Sequence, residues 1–196
     1  MPPESAPAFT PDTPPAGSPG NPDARLIQRA QRGSRAARAE LLRMYQDVWY
    51  RFCLHQLRLD DAARDATQEI ALRFLDRLAD FRGESRLRTW SLGIALNVCR
   101  EWRRESGRSP DPLRLRLADD PPAPDATAER SERFGRLSDR IDALPDRQRE
   151  AVTLRYLHEL SVAETAEAMG CAAGTVKATL SQALRRLRRE MTEVTV

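Results

Sequence analysis

The placement of proline constrains this chain more than any other feature of its sequence. All fourteen prolines fall in three places: eight in Met1–Pro22, five between Pro110 and Pro124, and the last at Pro145. Proline lacks an amide hydrogen and collides with the carbonyl one turn back, so it marks where helices do not run. Two long blocks are left whose apolar residues recur at three- and four-residue steps. The expectation is an all-α protein: two small helical domains joined by a flexible linker.

The boundaries follow from composition. Residues 1–22, rich in Pro, Ser and Ala and poor in large apolar side chains, read as a disordered tail. Residues 23–106 form the first expected domain and residues 128–196 the second. Between them, residues 107–127 hold five prolines and Asp119-Asp120, with only Leu113, Leu115 and Leu117 as apolar content. This is the composition of an extended linker, which at roughly 3 Å per residue can separate two domains by tens of ångströms.

Charge and cysteine usage narrow the class. The net charge is +3 and the isoelectric point about 9.0, so any nucleic-acid surface must arise from local clustering. Cys53, Cys99 and Cys171 are far apart in sequence, with no CxxC motif and no neighbouring histidine, as expected of buried small hydrophobes. No run is long enough for a membrane span, and the N-terminus lacks the order of a signal peptide. A cytoplasmic protein without membrane insertion is expected. An enzyme finds little material here: no Gly-rich phosphate loop, no HExxH, and only His55 and His158. No metal or other cofactor is expected.

Three stretches carry the functional reading. In Asp60–Asp80, Ala66, Ile70, Phe74 and Leu78 repeat at i+4. The opposite surface holds Asp61, Asp65, Gln68 and Glu69, either solvated or a docking face for a basic partner. Next, Arg82-Gly83-Glu84-Ser85 forms a short polar loop before a helix whose Leu87, Trp90, Ile94, Val98 and Trp102 line one face. Asn97, Arg100, Arg103 and Arg104 lie mostly off that stripe. This is either a core helix with a charged solvent face, or a loop that holds an unstacked base beside arginines that grip phosphate.

The third stretch is in the second block. Leu144-Pro145 opens a helix. Ser161-Val162-Ala163-Glu164 reads as a capping box, and Met169-Gly170 as a helix end. A further helix starts near Thr175 on the stripe Val176, Leu180, Leu184, Leu187 and Met191. Short helix, small-residue turn and basic helix make a helix-turn-helix, whose second helix can enter a DNA major groove. Thr175, Lys177, Thr179 and Gln182 would meet base edges, and later arginines, Arg185 and Arg186 among them, phosphates or a protein surface.

With these residues in view, the chain resembles the extracytoplasmic-function (ECF) branch of the sigma-70 family. DDAARDATQEIALRFL (residues 60–75) is similar to the family's core-polymerase-binding helix, and FRGESRLRTW (81–90) to its promoter-melting loop. LPDRQREAVTLRYLHELSVAETAEAMGCAAGTVKATLSQALRRLRRE (144–190) is similar to its promoter-reading helix-turn-helix. The resemblance implies a sigma factor that binds core RNA polymerase, through the β′ clamp helices and the β subunit, and directs promoter-specific initiation without catalysis of its own. It implies polymerase contacts at Asp61, Asp65, Gln68 and Glu69. The −10 element would be captured by Arg82, Gly83, Glu84, Ser85, Asn97, Arg100, Arg103 and Arg104. The −35 element would be contacted by Thr175, Lys177, Thr179, Gln182, Arg185 and Arg186. It further implies a linker directed toward the polymerase active-site channel and an anti-sigma partner.

Two departures from the family pattern stand out. Ser91-Leu92-Gly93 replaces a frequent Leu-Tyr-Arg run after the tryptophan, and a mid-helix Gly costs about 1 kcal/mol against Ala. Val176-Lys177-Ala178-Thr179-Leu180-Ser181-Gln182-Ala183 lacks the early arginine of the family's VKSRLHRA, which implies a different −35 preference. Two other readings remain. A helix-turn-helix regulator working without polymerase would lack a use for the acidic helix and the loop. A sigma mimic that only sequesters an anti-sigma factor would not need a basic recognition helix.

Overall fold

A computed structural model describes residues 22–105 and 137–192; the tail, the linker and the start of the second block expected from sequence lie largely outside them. The described residues are helical and include no strand. In the first block, α1 spans Pro22–Gln31, α2 Arg35–Leu57, α3 Asp60–Arg77 and α4 Leu87–Glu105, with a 3-10 turn at Leu78–Asp80. In the second, α5 covers residues 137–142, α6 spans Asp146–Val152 and runs into a π-helical turn at Thr153–Leu157, α7 spans Val162–Met169 and α8 spans Ala173–Thr192.

Local chemistry sets these ends. A break falls at Gly33-Ser34: Ser34 caps α2, its hydroxyl accepting from the Ala37 amide at 3.3 Å. At the far end of α2, Arg58 takes a left-handed conformation, φ 63°. Asp60 and Asp61 occupy the first turn of α3, where the exposed amides favour negative charge. Pro145 stands at the N-cap of α6. The capping box of α7 forms as expected. The Glu164 amide donates to the Ser161 hydroxyl at 3.2 Å, and the Ser161 amide to the Glu164 carboxylate at 2.8 Å. Gly170 ends α7 at φ 64°, a backbone state glycine adopts without strain. The recognition helix starts two residues earlier than expected, at Ala173.

The first block closes around aromatic rings. Trp49, Phe52 and Phe74 are fully buried. Trp49 lies 5.0 Å from Phe74 between ring centroids, and Trp90 packs 5.6 Å from Phe74 and 5.0 Å from Phe81. Of the stripe expected on α4, Leu87, Ile94 and Val98 are buried, whereas Trp90 and Trp102 are half-buried at its edge. Cys53 on α2 and Cys99 on α4 are fully buried free thiols with sulfurs 3.6 Å apart. Their spacing of 46 residues hid that neighbourhood from the sequence. Burial and the Cys53 thiol hold the Cys99 thiol well above the ordinary range, so these sulfurs serve as packing groups.

The two blocks are not held apart. One apolar core runs from Leu26 through Leu96 to Leu154 and Leu187, and α4 lies directly against α7. Gly93 makes that approach possible. A Cβ there would stand 3.6 Å from the Ala168 carbonyl oxygen and 3.7 Å from its Cα, so a methyl fits and a longer side chain does not. The glycine that is costly to the helix is what lets two helical backbones meet.

Candidate polymerase and nucleic-acid interfaces

The outer face of α3 presents Asp61, Asp65 and Gln68 as exposed side chains, as expected. Glu69 is different. It accepts from the Trp102 indole nitrogen at 2.7 Å and pairs with Arg73, which in turn reaches Glu101 on α4 at 2.6 Å. This carboxylate ties α3 to α4 and is only half-exposed. The sequence reading missed the residue beside it. Leu72 is 66% exposed, the most exposed large apolar side chain among the described residues. Its signal was available, since it falls off the Ala66–Ile70–Phe74 stripe, two residues from the buried positions on either side.

The arginine face of α4 is occupied. Arg100 forks onto Glu150 of α6, Nε at 3.1 Å and Nη2 at 2.8 Å. Arg103 reaches the same carboxylate at 2.5 Å and the Gln56 side-chain oxygen at 3.1 Å. Glu150 is 1% exposed. Burial raises its pKa, but hydrogen bonds and charge from Arg100 and Arg103 outweigh that and leave it below the ordinary value. Around this pair, beside the apolar core that the two blocks share, lies a cluster of polar contacts. Buried Arg149 donates to the carbonyls of Asp142 and Leu144, each at 3.0 Å, and to that of Gln56 at 3.4 Å. His55 meets the buried Asp142 at 3.0 Å, and Arg86 meets Glu164 at 3.3 Å. Arg104 alone of the C-terminal arginines of α4 points outward.

The loop and the arginines do not share one pocket. Gly83 turns the loop sharply, at φ 73°. Glu84 and Ser85 line a polar cleft of about 660 Å³ whose other wall is Tyr156, Glu159 and Ser161 of the second block. Asn97 and Arg100 line a separate, smaller cleft with Trp90, Gly93 and Met169. Arg82 is exposed and lines neither.

The front of α8 is open. Thr175, Lys177, Gln182 and Arg185 are exposed along it, while Val176, Leu180, Ala183 and Leu187 are buried beneath. Two expected contacts have partners along α8 itself. The Thr179 hydroxyl donates to the Thr175 carbonyl at 2.8 Å, and Arg186 pairs with Glu190 at 3.0 Å.

Comparison with known proteins decides the family. Residues 41–109 match the model for sigma-70 region 2, and residues 134–187 that for sigma-70 region 4, together more than half of the chain. The ECF RNA polymerase sigma factor BldN of Streptomyces coelicolor is 32% identical over 168 residues, covering 84% of this chain and 64% of BldN. The chain belongs to the ECF sigma factors of the sigma-70 family. The ECF RNA polymerase sigma-E factor of Haemophilus influenzae is 29% identical, over 87% of this chain and 93% of that protein. The fold is shared with RpoE of Bartonella quintana, solved in complex with the anti-sigma factor NepR. That likeness has a TM-score of 0.62 and 22% identity, over 79% of this chain and 96% of the other.

A sigma factor works with core RNA polymerase and promoter DNA, in a family that is not enzymatic. The α3 face and α4 therefore lie in region 2 of this sigma factor, and α6 to α8 in region 4. No helix among the described residues is long and apolar enough to cross a membrane.

Proposed function

We propose that this sigma factor acts in the cytoplasm as a promoter-specificity subunit, with residues 23–106 and 128–196 as its two working domains and no catalysis of its own. Asp61, Asp65 and Gln68, with Leu72 one turn beyond them on the same helix, dock on a basic face of core polymerase. Glu69 contributes by fixing Trp102 and hence the angle of α4. The Arg82–Ser85 loop captures an extruded −10 base, while Asn97, Arg100, Arg103 and Arg104 hold the single strand by its phosphates. The front of α8 reads the −35 element through Thr175, Lys177, Gln182 and Arg185, with Thr179 and Arg186 reaching DNA only by leaving their present partners.

The observation that carries this reading is the open front of α8, set by the capped α7 and the Gly170 turn, on a chain whose region 2 and region 4 matches occur in order. The complex of RpoE with NepR supports an anti-sigma partner for this chain as well. Transcription in vitro with core polymerase, on a genomic promoter library, tests the proposal. Promoter-dependent transcripts are expected only when the chain is added. Specific DNA binding that needs no polymerase and yields no transcripts would replace it with an ordinary helix-turn-helix regulator.

A further inference from the structure

Two guanidinium groups assigned to promoter phosphate already hold a carboxylate in this structure. Glu150 offers them what a phosphate offers: two anionic oxygens in a plane, met by a forked donor. Arg100 takes both oxygens, at 3.1 and 2.8 Å, and Arg103 shares one at 2.5 Å. The carboxylate is sealed, 1% exposed, and carried by α6 of region 4, the domain that must reach a different part of the promoter. A second contact closes the same seam two turns earlier on the same face of α4. Gly93 admits the backbone of α7, with Ala168 within 3.7 Å of a Cβ at that position. A third, Arg86 to Glu164 at 3.3 Å, pulls the residue after the base-capturing loop onto the N-terminus of α7.

We propose that Glu150 is a phosphate mimic that latches region 4 onto region 2 within the free chain, so that closure and single-strand capture compete for Arg100 and Arg103. The latch is built in cis and needs no second protein. It rests on the reading of Arg100 and Arg103 as strand-binding residues given above. Opening requires that both arginines be supplied with another anion. Polymerase docking through the exposed α3 face, which closure leaves uncovered, can precede that exchange.

The competition has a defined thermodynamic signature. Apparent affinity for strand is the intrinsic affinity reduced by the fraction of open chain. Donor and acceptor dyes on the full chain, at the exposed positions Arg43 on α2 and Ala178 on α8 with Cys171 replaced by Ser, report closure as energy transfer. A fluorescently labelled single-stranded DNA oligonucleotide of randomised sequence reports capture, since phosphate contacts carry no base identity.

High transfer is expected in the wild type and low transfer in Glu150→Gln. Gly93→Leu, which wedges α4 from α7 without touching the carboxylate, should also open the chain and so repeats the test on an independent contact. Both open variants should bind the oligonucleotide about tenfold or more tightly than the wild type, by the open-fraction relation. Low transfer in the wild type, or high transfer retained by Glu150→Gln, overturns the latch. Opening without a gain in affinity overturns the competition.

The reading of the arginines fails separately. In holoenzyme, where the chain is engaged by polymerase, Arg100→Ala and Arg103→Ala with unchanged affinity for pre-melted promoter would remove them from the strand site. The energy-transfer result would still decide whether Glu150 holds the domains together.

Discussion

Acidification should destabilise this protein well before its carboxylates protonate, through His158. The ring is 5% exposed and lies edge-on to Phe52, 5.6 Å between centroids. Burial, reinforced by the positive charges of Arg88, His55 and Arg51, pushes its pKa down from 6.5 to about 3. Between those values the unfolded chain binds a proton that the folded chain refuses, so stability falls as pH falls, starting near 6.5. One such group costs about 1.4 kcal/mol per pH unit, or about 2 kcal/mol between pH 6.5 and 5.0. The carboxylates held below their ordinary values, Glu150, Glu101 and Glu164, have the opposite kind of linkage. Their contribution is intact above the ordinary carboxylate range, near 4.3 for glutamate, and is lost only on further acidification. The window from 6.5 to 5.0 therefore lies above the carboxylates, and comparison with a variant lacking His158 singles out that ring. Urea unfolding followed by circular dichroism at several pH values should show the midpoint falling across it in the wild type. In His158→Phe, which keeps an aromatic ring against Phe52, the midpoint should stay nearly level. Parallel decline of the two proteins would refute the assignment.

Asp65→Arg should weaken holoenzyme assembly without loss of helicity, because the side chain is exposed and its reversal opposes a basic partner surface; native-gel titration against core polymerase measures it, and Leu72→Ser should act in the same direction. Lys177→Ala and Arg185→Ala should each weaken −35 binding, and a lost phosphate contact lowers the slope of log K against log salt by roughly one unit, read by fluorescence anisotropy at several salt concentrations. Ser161→Ala should cost about 1 kcal/mol in thermal or urea unfolding, since it removes the capping hydroxyl of α7. Trp102→Phe keeps an aromatic ring but removes the indole donor to Glu69; the carboxylate keeps Arg73 and its access to water, so the cost is one hydrogen bond, about 1 kcal/mol, measurable by the same unfolding assay.

What the sequence disclosed was whatever is set by local spacing. Prolines outside the helical blocks, the Ser161–Glu164 box, the glycine at 170 and the i+4 stripes are written within a few residues of where they act, and the helices start and stop there. Contacts between blocks are not written that way. Glu150 lies in the run Asp146-Arg147-Gln148-Arg149-Glu150, which reads as an ordinary solvated helix start. Nothing in that spacing announces that two arginines 47 and 50 residues earlier will bury it. Cys53 and Cys99 were read as isolated for the same reason. Gly93 is the instructive middle case. It was visible as a cost to α4, and a locally unfavourable residue is the one trace that a long-range contact leaves in a sequence.

The chemistry of the seam bears on why it can be a latch at all. The apolar part of the seam binds the domains through area, and nothing on a promoter can replace that part. Here the groups at the centre are Arg100, Arg103, Glu150, Gln56 and Arg149, all taken largely out of water. Buried ion pairs recover little more than the cost of desolvating them, so closure gains little net free energy from them. Unpairing one partner is a different matter, since a buried charge left alone is strongly disfavoured. The seam is therefore stable against simple loss of contact yet open to exchange, provided that the incoming group is itself an anion. A nucleic-acid backbone supplies such anions at every nucleotide, and binding it returns Glu150 to water as the two arginines move from carboxylate to phosphate. The polar cluster within the seam selects for the ligand that opens it, which the apolar contacts beside it cannot do.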